Sequence, residues 1–202
     1  MIFLYYIYLA SYVVFSSYCY YKDVLSIDDA VKSTSNKIKY KKALPLVTIN
    51  LTLVSYPVFS TILKYYQPQE FHLVQSIFHI ITAKYMSQLL FYCSHRTFHR
   101  VPQLKKYHKV HHNFQHPIGM RAAYTHPVDF IFGNMIPLGI MPFILQVNIY
   151  TMILIIIYGI YDTIVNEHSD YNKSDHHLKH HIYFNYNFGE TRLDKFFGTY
   201  KE

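Results

Sequence analysis

Four long runs of apolar and aromatic residues, each almost free of charge, alternate with short polar or basic segments along the chain. The first, Met1 to Tyr21, and the second, Ala43 to Leu63, contain no charged residue. Each reaches the roughly 20 residues a helix needs to cross a hydrocarbon layer about 30 Å thick. The third, Phe71 to Ser94, is interrupted only by Lys84, whose stem can snorkel or whose charge can face the protein interior. The fourth, Phe130 to Tyr161, holds 32 residues without a charge. As one helix it would be about 48 Å long, too long for a single crossing. Pro137, Gly139 and Pro142 predict a break in its first third, and so a bent hairpin or re-entrant pair. The pattern predicts an all-α integral membrane helical bundle with about four membrane-inserted elements and a cytoplasmic helical cap. Residues 1–86 form its N-terminal membrane-spanning part, and residues 87–202 a second part that includes the membrane hairpin 130–161.

The bland alternative, a soluble protein with buried apolar helices, sits poorly with so many such runs in one chain. Met1 to Tyr21 lacks a basic start and a clear small-x-small cleavage site, so it is expected as a retained anchor rather than a signal peptide. Lys22 to Lys42 holds six lysines, and short basic loops stay on the cytoplasmic side. The second run then goes out, "KYYQPQE" turns outside, and the third run returns to deliver His95 to the cytoplasmic face. "HRTFHRVPQLKKYHK" is basic as well. A hairpin over 130–161 enters and leaves on one side, so the histidines before and after it are expected to meet.

Composition agrees: 51% of residues are hydrophobic and only 15% charged, against about 25% charged in ordinary soluble domains. The net charge of +7 does not indicate nucleic acid, because the basic residues lie between uncharged runs instead of clustering on one wet face. Anionic headgroups are the expected partner. Cys19 and Cys93 lie inside apolar runs and form neither a disulfide framework nor a metal motif.

Twelve of the fourteen histidines fall between His95 and His181. "HRTFH" puts His95 and His99 at i and i+4, one helix face. "HKVHH" puts His108, His111 and His112 at i, i+3 and i+4, and "HLKHH" repeats this with His177, His180 and His181. Neutral imidazole is a common ligand for iron and zinc, and burying so many without a metal would leave unsatisfied polar groups or repulsion on protonation. Eight to ten ligands exceed what one ion accepts, which implies two ions near each other. His72 and His79 are expected as core or interface residues. His116 and His176 divide between surface and supporting roles, and His176 falls off the face that carries its neighbours. Spacing by itself does not single out His126 or His168.

"HRTFH", "HKVHH", "THPVD", an isolated His168 before "HLKHH", then "YFNYNFG" and "LDKFFGTY" together resemble the fatty acid hydroxylase and sterol desaturase superfamily of membrane di-metal oxygenases. The resemblance spans roughly Ser87 to Tyr200. "HPVD" and "HHIYFNYNFG" look most like sterol C5-desaturases, whereas "AAYTHP" and "DKFFGT" also look like sterol C4-methyl oxidases. It implies that residues 87–202 are the catalytic domain, with two iron ions (zinc in some purified forms) on the cytoplasmic face of an endoplasmic reticulum-type membrane. It also implies O2 as oxidant and electrons from NAD(P)H through a reductase and a cytochrome b5-type donor. The implied ligands are His95, His99, His108, His111, His112, His168, His177, His180 and His181, with His126 as an addition. Two departures stand out: the interval from His168 to His177 is short for a sterol-acting relative, and no cytochrome b5 domain is fused to the compact N-terminal part, so a separate donor is expected.

The expected activity is oxygen-dependent hydroxylation or desaturation of a membrane lipid, sterol-like first and fatty acyl as the alternative. Of the acids Asp129, Asp162, Glu167, Asp170 and Asp175, the pair Asp129 and Asp162 brackets the fourth run and is the preferred choice for orienting ligands. Tyr124, Asn185 and Tyr186 are expected to line the site or to pack. A non-catalytic metal-binding or transport protein is the reading of another class, but transport predicts ionisable groups in mid-span. A zinc protease would need H-E-x-x-H, which no box contains.

Overall fold

A computed structural model describes residues 1–113, 118–169 and 175–202, and among these there is no β-strand. His116, Asp170 and the side chain of Asp175 lie outside what is described.

Helix α1 (Phe3–Tyr20) is followed by a π-helical turn, Tyr21–Leu25. Helix α2 (Ala30–Ile49) starts where the Asp29 carboxylate accepts from the backbone N–H groups of Val31 and Lys32 at 3.0 and 2.9 Å. It runs through a π turn, Asn50–Val54, into α3 (Ser55–Tyr65). Helix α4 (Leu73–Arg100) is followed by α5 (Pro102–His108), with proline at the first position where a missing N–H costs nothing. Short turns then lead through α6 (Pro127–Asp129) and a π segment, Phe130–Met135, into α7 (Ile136–Ile144). Helix α8 (Ile149–Tyr161) runs into a π turn, Asp162–Asn166, and α9 (Asp175–Tyr183) and α10 (Thr191–Phe196) complete the chain.

Among the described residues, three continuous helical stretches are long and apolar enough to cross a membrane: Ala30–Tyr65, Pro127–Ile144 and Ile149–Asn166. The first and third apolar runs also form helices, but tyrosines in α1 and Lys84, glutamines and histidines in α4 dilute their apolarity. The division expected at residues 86 and 87 falls inside the unbroken α4.

The hairpin forms, but not where the prolines predict. Pro137 falls in the first turn of α7, directly after the π segment, where its missing N–H is tolerated. The chain reverses at Leu145–Asn148 instead. Gln146 takes a left-handed backbone (φ 49°), while its N–H donates to the Phe143 carbonyl and that of Val147 to the Pro142 carbonyl. This is a Schellman ending built on glutamine in place of glycine. The Gln146 side chain holds the bend by accepting from Gln67 N–H and donating to the Tyr65 carbonyl. The hairpin tip is thereby tied to the "KYYQPQE" turn, at the opposite end of the bundle from the histidines.

Three buried tyrosines use their hydroxyls to reach backbone carbonyls on other elements: Tyr5 to Leu51 at 2.8 Å, Tyr12 to Met120 at 2.9 Å, Tyr66 to Val147 at 2.6 Å. Helix α1 packs on α8, and α4 on α7. The turn Gly119–Ala123 lies so close to α1 that a Cβ at 119 would stand 2.5 Å from Cys19 Cβ. Asn50, fully buried in its π turn, donates to the carbonyls of Ala123 and Thr125 at 2.9 and 2.8 Å. It anchors the strap that leads to Asp129. Asn50→Leu removes both bonds and should cost on the order of 1–3 kcal/mol. Thermal unfolding in detergent should show a clearly lower Tm for this variant, and no change for the exposed Thr52→Ala.

Candidate metal centre

The boxes converge, but they do not form three equal faces. His95 and His99 project from the last turns of α4. His108 closes α5, whereas His111 and His112 stand on a separate 3-10 turn, His111–Asn113, so "HKVHH" is not one helix. Helix α9 carries His177, His180 and His181, as its spacing predicts. Two groups of ring nitrogens result, each within 4.8 Å of one another: His95, His99, His108, His112 and His180 in one, and His111, His168 and His177 in the other. The second and third boxes each contribute to both groups.

Carbonyl and carboxylate oxygens accept only, so a ring nitrogen facing one must carry the proton. His95 Nδ1 donates to the Phe188 carbonyl at 2.6 Å, His180 Nδ1 to that of Tyr186 at 2.8 Å, His168 Nδ1 to that of Thr163 at 2.6 Å, and His108 Nδ1 to Asp129 Oδ2 at 2.9 Å. In neutral rings each Nε2 is then a bare lone pair. His95 Nε2 and His108 Nε2 lie 3.0 Å apart, and the buried Nε2 atoms of His168 and His180 have no hydrogen-bond partner. Two lone pairs at that distance repel unless a cation lies beside them. Metal–imidazole bonds of about 2.1 Å place neighbouring ligands at right angles about 3.0 Å apart. The spacing and proton placement therefore fit metal ligation.

Burial favours the neutral form of several of these rings. It is the largest cause holding His111, His112, His177, His180 and His181 well below the ordinary imidazole range, with neighbouring imidazoles adding for each and Arg121 for all but His180. Burial lowers His168 to about 4.

The groups behind the rings differ from expectation in part. Asp129, 1% exposed, orients His108 and is itself fixed by the Thr125 hydroxyl at 2.6 Å. Its other oxygen lies against Gly133, where any Cβ would collide with it. Asp162 accepts from Asn166 instead and lines an apolar cavity. Tyr186 contributes its carbonyl, Asn185 bonds the Tyr183 carbonyl through its backbone N–H, and Tyr124 is buried in the core. His126 stands outside both groups: its Nδ1 caps α6 by accepting from Val128 N–H at 3.2 Å, and its ring packs 4.5 Å from that of Tyr107. His181 is outside them as well, with Nε2 3.0 Å from His177 Nε2 and Nδ1 2.6 Å from Arg121. His176 is not a member but bonds Asp194 at 2.9 Å. His79 is buried and His72 is exposed at the start of α4.

Two contributors escaped sequence reasoning. Arg121, fully buried, donates to the His111 carbonyl through Nε and Nη2 and to His181 Nδ1, tying two boxes together. Burial lowers it to about 9. Asp194 accepts from the backbone N–H groups of Phe188 and Gly189 and from Thr199. That clasp shapes the turn whose carbonyls hold His95 and His180.

A cleft beside the rings is lined by Phe91, Gly133, Asn134 and box histidines. Asn134 also lines the apolar cavity of about 450 Å³ between α1, α4, α7 and α8.

Residues 79–199 match the model of the family described as "Fatty acid hydroxylase". The chain belongs to the fatty acid hydroxylase family. It is 27% identical over 180 residues to human fatty acid hydroxylase domain-containing protein 2, covering 80% of this chain and 52% of that protein. To fatty acid hydroxylase ahd1 of Mycosarcoma maydis it is 31% identical over 181 residues, covering 81% and 46%. To human lathosterol oxidase it is 28% identical over 142 residues, covering 64% and 47%. The chain thus spans about half the length of the curated relatives it matches. No solved structure matches it. The family and the clustered imidazoles together support metal binding.

Rings kept neutral by burial make the folded chain bind fewer protons than the unfolded one below the ordinary imidazole pKa of about 6.5. Stability of chelator-treated protein is therefore full above that pH and falls as pH drops through it towards the lowered folded values, near 4 for His168. Thermal unfolding in detergent should give a lower Tm at pH 5.5 than at pH 8, and equal values would contradict neutral burial.

Proposed function

We propose that the chain is an oxygen-dependent membrane lipid hydroxylase or desaturase whose two iron ions are held by the two imidazole groups. The observation that carries this is the set of Nε2 lone pairs on His95, His108, His168 and His180, each aimed inwards by a fixed Nδ1 proton. His99, His112, His111 and His177 complete the proposed ligands. His181 stands at the edge of the second group, and His126 is left as a helix cap.

Iron would supply the redox chemistry with O2 that an unactivated C–H bond requires, because no side-chain base can remove such a proton. The protein's own residues hold and orient. Asp129, Thr163, Tyr186 and Phe188 fix ring orientation through their oxygens, as carboxylates and carbonyls behind metal-bound histidines do elsewhere. Phe91 and the apolar walls exclude water, and Asn134 stands where cavity and cleft meet. A lipid entering from the hydrocarbon layer meets the imidazoles without crossing water.

Sterol-like substrates come first, supported by the likeness to lathosterol oxidase, and fatty acyl chains are the alternative, supported by the fatty acid hydroxylase relatives. Electrons would come from NAD(P)H through a separate reductase and a cytochrome b5-type donor. The lysines of 22–42 and of 105–109 support a cytoplasmic site on an endoplasmic reticulum-type membrane.

Two measurements, one on purified protein and one on expressing cells, test this. Metal analysis should find about two ions per chain, fewer in His180→Ala, and lipid extracts of cells lacking their own sterol desaturase should gain a hydroxyl or a double bond when the chain is supplied. Metal without any change in the sterol or acyl profile would favour a non-catalytic metal-binding or transport protein. One ion or none would sink the two-ion centre.

A further inference from the structure

The apolar cavity carries a row of polar groups that the protein leaves unsatisfied. Lys84, Ser87 and Gln88 line it, at i, i+3 and i+4 of α4. Phe91 and His95 continue the same helix face and line the histidine cleft. Ser87 is 8% exposed. Other helical hydroxyls return to the carbonyl four residues earlier, as Ser55 does to Leu51 and Thr97 to Cys93. Ser87 does not, and among the described residues neither it, nor Gln88, nor Lys84 has a hydrogen-bond or ion-pair partner. Ser87 is buried, Gln88 is part-exposed and Lys84 is exposed, so the three grade from the cavity wall to its edge. An amine, a hydroxyl and an amide side by side call for an oxygen acceptor.

We propose that Lys84, Ser87 and Gln88 form a headgroup subsite that receives the oxygen function of an amphipathic lipid, a carboxylate or a hydroxyl, inside the cavity. Ser87 and Gln88 precede His95 by eight and seven residues on one helix, so the 1.5 Å rise puts the subsite about 10–12 Å from the cleft. A lipid anchored there presents to the imidazoles a carbon well along its length, and not the one beside its headgroup. The cation adds preference for a carboxylate. The idea rests on the reading of the cleft as the reacting centre, but binding can be measured without turnover.

The full chain in detergent would be titrated at equilibrium with radiolabelled palmitate, cholesterol and hexadecane, the last having no oxygen. Palmitate or cholesterol should bind more tightly than hexadecane. Ser87→Ala combined with Gln88→Leu should weaken the preferred oxygenated ligand about tenfold, the size of one lost hydrogen bond, and leave hexadecane unchanged. Lys84→Met should weaken palmitate selectively. Should the double variant fail to fold, Gln88→Glu serves instead, because a carboxylate there repels palmitate and spares cholesterol. A response confined to palmitate identifies a fatty acid, and one confined to cholesterol a sterol; either supports the subsite. Equal binding of all three ligands, or variants that bind as the parent does, would overturn it. His111→Ala should keep the binding pattern, so lost turnover with intact binding counts against the reaction and not against the subsite.

Discussion

Four Nδ1 protons, on His95, His108, His168 and His180, are each given to an oxygen that can only accept, and the arrangement of the C-terminal half follows from keeping those four bonds. An imidazole out of water has two nitrogens to satisfy and one proton to place. Fixing the proton on the outer nitrogen turns the inner one into a directed donor. Doing so for rings on α4, α5, α9 and the segment after the Asp162–Asn166 turn needs an acceptor behind every one of them. The chain supplies these from separate places: Asp129 at the mouth of the hairpin, Thr163 in a π turn, and two carbonyls of the turn after α9. The π segments sit at both ends of the hairpin, where the extra residue per turn re-aims the backbone beside the rings.

The membrane part serves the same constraint from the other side. Asn50 and Tyr12 fasten the strap from Met120 to Thr125, and Thr125 fastens Asp129. A hydroxyl or amide buried among apolar helices is worth having only when its partner is assured, since the alternative costs more than the bond contributes. The tyrosines of α1 are therefore not simply greasy residues. They cross-link helix to loop, while their phenol character lowers α1's apolarity below that of the three stretches able to span a membrane.

Much of this was legible in the sequence, because charge-free length reports membrane helices and i, i+4 histidines report a shared face. Other features depend on contacts that no local pattern encodes. "HKVHH" reads as one helix, yet the chain turns after His108, and His111 moves to a different group from its neighbours. Pro137 and Pro142 suggest a break, but the bend falls at Gln146, whose side chain is bonded to a turn some eighty residues earlier. Asp162 resembles Asp129 in its place at a run's end. Only the fold shows that one faces His108 and the other Asn166. Arg121 carried no signal in a basic chain, and its role exists only because two boxes approach it at once.

The same helix face connects the two halves. Along α4 the residues Ala83, Ser87, Phe91 and His95 pass from the apolar cavity to the cleft without leaving one stripe. Opposite them Asn134 borders both spaces, one residue from the Gly133 that leaves room for the Asp129 carboxylate. A wall shared in this way ties whatever occupies the cavity to the geometry of the rings. A larger residue at 133 would displace Asp129, free the His108 proton and narrow the passage at the same time. Orientation of the His108 ring and access to the cleft thus both depend on one short segment of the hairpin.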